Sequence, residues 1–183
     1  GYVDCMAAES NEKLMLNWFQ IQTLKCLQEQ QRTGVIEKSL LLKTVETAIC
    51  KCFERISGAK NASIIFDLDT HRLVLDFESA DGILQKFAMD EMSDGYKNTL
   101  SMIGDIAYRM AVLNPMLGEK VLEETPGVIL IDEIDLHLHP QWQQTIISDL
   151  ISIFPKIQFI VSSHAPAVIN SVSREQIRIL DNG

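Results

Sequence analysis

Asp132 and Glu133 stand side by side at the end of an apolar run, Val128 to Ile131. Adjacent carboxylates repel each other unless a cation or a proton intervenes. One can hold a magnesium ion through water while the other takes a proton from an attacking water. Asp135, His137, His139 and Pro140 follow closely. A second apolar run, Ile157 to Val161, ends in Ser162, Ser163 and His164, which adds an imidazole. Upstream, Met92-Ser93-Asp94-Gly95-Tyr96-Lys97 opens a helical pattern. Ser93 or Asp94 suits a helix N-cap, and Gly95 lets backbone approach closely. Free N–H groups at such an end can receive a phosphate. A carboxylate beside an anion is then expected to turn away or to pair with a cation, so Asp94 calls for a partner such as Lys97.

These groups need elements to hold them. The run Val128 to Ile131, entered by Pro126-Gly127, predicts a buried parallel strand, and Ile157 to Val161 predicts another. Charges that directly follow such strands sit at their carboxyl ends, where open α/β sheets bind ligands. Tyr96, Leu100, Ile103, Ala107 and Met110 mark one helix face, stopped by Asn114-Pro115. Gln141 to Ile153 predicts one helix, and Gln176 to Leu180 a last short strand. Ala62–Leu68, Arg72–Phe77 and Ile83–Met89 predict three strands, the first turn being Asp69-Thr70-His71 and the second Asp81-Gly82. Asn11 to Gln31 predicts a helix with Leu14, Trp18, Ile21 and Leu24 on its apolar stripe. Thr33-Gly34 breaks it, and Ile36 to Ile56 predicts a second helix carrying Leu41, Val45, Ala48, Cys52 and Ile56. Together the two suggest an antiparallel helical hairpin.

From Ser93 to about Val172, order and spacing resemble the ABC-type ATPases. Within them the likeness is to the SMC/RecF-like branch and the AAA-type ATP-binding proteins of bacterial defence and virulence loci. In that family a signature of the form L-S-D-G-Y precedes the Walker B strand. An acidic pair, a D-loop with L-H-P and a switch histidine follow. The resemblance implies an α/β fold: the C-terminal lobe of a P-loop ABC-type ATPase, with parallel strands flanked by helices. Residues 1–58 would be a helical arm and residues 59–183 the signature and Walker B lobe. It implies ATP and Mg2+, with Asp132 on the magnesium side through water, Glu133 as general base and His164 against the γ-phosphate. Ser93 and Gly95 would contact ATP held by a second copy. Asp135 to Pro140 would be the D-loop that bridges two protomers. A homodimer around ATP is therefore implied, and DNA or an effector nuclease is an implied partner of a longer protein.

No G-x-x-x-x-G-K-[ST] occurs in the chain. The loop that cradles phosphates is missing, so the chain is expected to be part of a longer ATPase and inactive alone. Two other readings compete. Asp132-Glu133-Ile134-Asp135 also resembles the D-E-x-D box of helicases, and a non-catalytic dimerisation or regulatory module needs no active acids. His137, His139 and Asp135 allow a structural metal as well.

The 183 residues suffice for one ordinary domain, 46% of them are hydrophobic, and the formal charge is −9. That charge argues against a broad nucleic-acid-binding face on this segment. No apolar run approaches the roughly 20 residues of a membrane helix. Cys5, Cys26, Cys50 and Cys52 form no C-x-x-C pair. Reduced thiols and a cytoplasmic location are the expectation.

Overall fold

A computed structural model describes residues 8–35, 37–136 and 138–180, with residues 8–12 described by backbone alone. Cys5, Ile36 and His137 lie outside the described residues. Two long helices come first: α1 (Ala8–Thr33) and α2 (Leu40–Ser57). Ser39 opens α2, its side chain accepting from the Leu42 N–H. Gly58 closes it at φ 73°, a left-handed C-cap that costs glycine little. Three antiparallel strands follow in the order β1 (Lys60–Asp67), β2 (Arg72–Glu78), β3 (Leu84–Ala88). Then come α3 (Asp94–Leu113), the short α4 (Val121–Glu124), β4 (Gly127–Ile131), α5 (Pro140–Gln143), α6 (Ile146–Ile153), β5 (Ile157–Val161) and α7 (Pro166–Asn170). The expected mixture is present: an antiparallel β segment, then a parallel pair, β4 and β5, with helices.

The core is continuous from the helices to the parallel strands. Leu42, Val45, Ile49 and Phe53 of α2 meet Leu100, Ile103 and Ala107 of α3. Leu150, Ile153 and Phe154 join the same cluster beneath the parallel strands. Each fully buried side chain of this kind contributes roughly 1.5–3 kcal/mol. Gly104 lets the helices close up: a Cβ there would lie 3.2 Å from Ile49 Cδ1 and 3.4 Å from Met15 Sδ. Arg55 Nε reaches Asp149 Oδ1 at 2.6 Å and ties α2 to α6. Asp149 is buried, so this charged hydrogen bond offsets part of its desolvation.

Four expectations need correction. β4 and β5 pair in parallel as expected but are not buried: Val128, Leu130 and Ile160 are exposed, because nothing among the described residues covers that face. The buried stripe of α1 is Met15 and Phe19, with Trp18 partly covered, whereas Leu14, Ile21 and Leu24 are exposed. Apolar residues surround this helix, so periodicity alone could not choose the face that packs. The single helix over Gln141 to Ile153 is two helices separated at Gln144-Thr145, where the Thr145 N–H donates to the Trp142 carbonyl. Gln176 to Leu180 is not a strand. A short 3-10 turn, Arg174–Gln176, precedes unpaired chain in which Ile179 and Leu180 are exposed. An apolar run becomes a strand only where a neighbour accepts its hydrogen bonds.

Candidate functional site at the ends of the parallel strands

β4 and β5 run parallel with Ile131 opposite Val161, so both strands end at one edge. The next residues of each strand are therefore neighbours. The Ser162 N–H donates to the Ile131 carbonyl at 3.0 Å, and the Ile134 N–H donates to the Ser162 carbonyl at 3.1 Å. The Ser162 hydroxyl donates to Asp132 Oδ1 and accepts the Glu133 N–H, the latter at 2.8 Å. Asp132 and Glu133 are both exposed, and buried Ile134 anchors the turn behind them. Glu133 has φ +50°, in the left-handed region that non-glycine residues rarely occupy. Such a conformation costs on the order of 1–2 kcal/mol and persists only when its surroundings hold it.

Asp135 belongs to the same edge. The Ser163 hydroxyl beside it holds its carboxyl below the ordinary carboxylate range. Partial burial opposes that shift, while the backbone N–H groups of Asp135 and His164 and the His164 imidazole add to it. Asp135 Oδ1 itself is buried without a hydrogen-bond partner. The Ser163 Oγ also accepts the Ala165 N–H at 3.1 Å, fixing the turn that presents exposed His164. Asp132, Glu133, Asp135 and His164 thus gather at the ends of two strands that are 30 residues apart in the chain at Asp132 and Ser162.

Ser93 and Gly95 belong to a different element. Ser93 is the exposed N-cap of α3 and its side chain makes no capping bond. Gly95 is buried in the first turn, where its carbonyl accepts the Thr99 hydroxyl at 2.8 Å. Asp94 pairs with Lys97 at 2.9 Å, the cation partner expected for it from the sequence. The start of α3 connects to the strand-end loop through aromatic rings. Tyr96 and Trp142 meet edge to face at 4.1 Å, and Trp142 lies 5.9 Å from His139.

His139 Nδ1 accepts the Gln141 N–H at 3.3 Å and caps α5. Among the described residues no group of three or more His, Cys, Asp and Glu side chains is placed to hold a metal. An all-protein metal cage therefore does not form from them. The hard, exposed carboxylates of Asp132 and Glu133 instead fit magnesium, which keeps water and takes one or two carboxylates plus substrate phosphates. Sequence reasoning passed over Ser162 and Trp142 as site residues. Aligning the two strand ends would have found Ser162, because it stands opposite Asp132.

Residues 51–170 match the protein family described as "AAA domain, putative AbiEii toxin, Type IV TA system". The chain is 37% identical over 161 residues to the Retron Ec83 probable ATPase of Escherichia coli, covering 88% of this chain and 28% of that protein. It is 49% identical over 90 residues to the Retron Vc95 probable ATPase of Vibrio cholerae serotype O1 biovar El Tor, covering 49% of this chain and 17% of that one. The Septu protein PtuA of Bacillus thuringiensis is 26% identical over 161 residues, covering 88% and 38%. The chain therefore spans well under half the length of these relatives. Superposition on the Smc head domain of Pyrococcus furiosus, bound to the C-terminal domain of ScpA, gives a TM-score of 0.45 at 17% identity, over 71% of this chain and 30% of that one. No helix among the described residues is long and apolar enough to cross a membrane.

Proposed function

The chain belongs to this AAA-domain family, and from that premise we propose that it carries the signature and Walker B part of an ATP-hydrolysing, ABC-type enzyme of a bacterial defence system. The observation that supports the reading is the shared edge of β4 and β5, from which the acidic pair and Asp135 follow on one strand and His164 on the other. Glu133 acts as general base on the attacking water, and His164 orders that water against the terminal phosphate. Asp132 holds magnesium through coordinated water. The ion supplies charge neutralisation at the phosphates when bound. Ser93 and the first amides of α3 meet the nucleotide of a second copy, so ATP joins two protomers. Asp135 and the loop to Pro140 lie at that junction. DNA or an effector nuclease is the downstream partner.

The exposed apolar face of the parallel pair supports a larger parent. Val128 is 55% exposed, Leu130 76% and Ile160 51%, on strands of a kind normally covered on both faces. A phosphate-binding half supplied by the rest of the protein would cover them. The helicase reading does not account for the Ser93-Asp94-Gly95 start of α3, with its Asp94–Lys97 pair, ahead of β4.

Phosphate release with ATP and magnesium tests the proposal, measured side by side on the full-length protein and on the 183-residue chain. The full-length protein is expected to turn over and the chain alone to give background. Turnover by the isolated chain overturns its role as a half-site, and no turnover by the full-length protein overturns the enzymatic reading.

A further inference from the structure

Ser162 alone binds four consecutive residues of the facing strand end. Its backbone N–H and carbonyl engage Ile131 and Ile134, at 3.0 and 3.1 Å. Its hydroxyl bridges the two residues between them, donating to Asp132 Oδ1 and accepting the Glu133 N–H. A serine hydroxyl has one proton to give and lone pairs to receive, so both bonds form at once. We infer that Ser162 is a positioning residue for the acidic pair: its hydroxyl latches Asp132 and Glu133 into one arrangement for the chemistry. The inference rests on the proposed hydrolysis for its catalytic consequence, but the latch itself does not.

The arrangement has a clear physical purpose. Asp132 is exposed, and an exposed carboxylate turns freely unless something fixes it. The Ser162 bond commits Oδ1 and leaves Oδ2 outside that bond. Glu133 sits at φ +50°, which its own side chain does not favour. The bond from its N–H to Ser162 Oγ helps hold that backbone. Misplacing a reacting group by about 1 Å costs on the order of a hundredfold in rate. The two backbone bonds of Ser162 do not depend on its side chain, so removing the hydroxyl leaves the strand pairing in place.

The test uses the full-length protein with Ser162→Ala and Ser162→Thr. Hydrogen exchange reads the latch without reference to activity. In Ser162→Ala the Glu133 amide is expected to exchange about tenfold faster, because its acceptor is gone. The Ile134 amide, bonded to the Ser162 carbonyl, should keep its rate. In phosphate release, kcat of Ser162→Ala should fall by about tenfold to a hundredfold, with KM for ATP within about twofold. Ser162→Thr keeps the hydroxyl and should restore both kcat and Glu133 protection. Unchanged Glu133 exchange in Ser162→Ala overturns the latch. Faster exchange with unaltered kcat, a loss confined to KM, or failure of threonine to rescue overturns its positioning role. A wild-type protein without turnover sinks the functional reading instead, and the exchange rates then decide the latch by themselves.

Discussion

Glu133→Gln in the full-length protein is expected to lower kcat for ATP hydrolysis by about three orders of magnitude while ATP-bound dimers persist. Glutamine matches glutamate in shape and keeps the main-chain bond from residue 133 to Ser162 Oγ. It retains the left-handed backbone at φ +50° at no new cost. What it loses is basicity, and removing a positioned general base costs about 10²–10⁴ in rate. Because binding is untouched, the substitution stops the cycle after nucleotide is captured. Phosphate release gives the rate, and sedimentation with and without ATP gives the dimer. Wild-type turnover in the variant would remove Glu133 from the role of base. A variant that neither hydrolyses nor dimerises with ATP would assign it to binding.

His164→Ala should have the next largest effect, a fall in kcat of about a hundredfold with little change in KM for ATP. His164 is exposed at the end of β5, where its ring and its backbone N–H both bear on Asp135. A donor aimed at charge that develops during reaction is worth about 10²–10³ in kcat when removed. Alanine leaves the turn intact, since the Ser163 hydroxyl that accepts the Ala165 N–H remains. Steady-state kinetics over a range of ATP concentrations separates the two parameters. A rise in KM at unaltered kcat would make His164 a ground-state contact only.

Much of this site was legible as two apolar runs of five residues or so, each leading directly into polar chemistry. Strand type follows from such runs because a parallel strand in a complete sheet is covered on both faces, although among the described residues Val128, Leu130 and Ile160 stand exposed on one face of this pair. What the runs could not give was register. Register alone sets Asp132 against Ser162 rather than against Ser163 or His164. It was likewise invisible that the Ser163 hydroxyl would hold the Asp135 carboxyl below its ordinary range. In α1 the reading failed for a related reason. Apolar residues occupy several faces of the helix, and the approach of α3 at Gly104 decides that Met15 is covered. The predicted strand over Gln176 to Leu180 failed because alternation describes a willing strand but supplies no partner for it. The three antiparallel strands were recovered to within a few residues, since their turns carry their own signals at Asp69-Thr70-His71 and Asp81-Gly82. His71, at φ +55°, occupies the first of those turns as a surface residue.

The most direct test of the central claim is a structure of full-length Glu133→Gln with ATP and magnesium. The account predicts nucleotide at each of two equivalent sites between two copies, its terminal phosphate facing Asp132, residue 133 and His164 of one copy and the Ser93 end of α3 of the other. Nucleotide bound away from the ends of β4 and β5, with those side chains facing solvent, would contradict it.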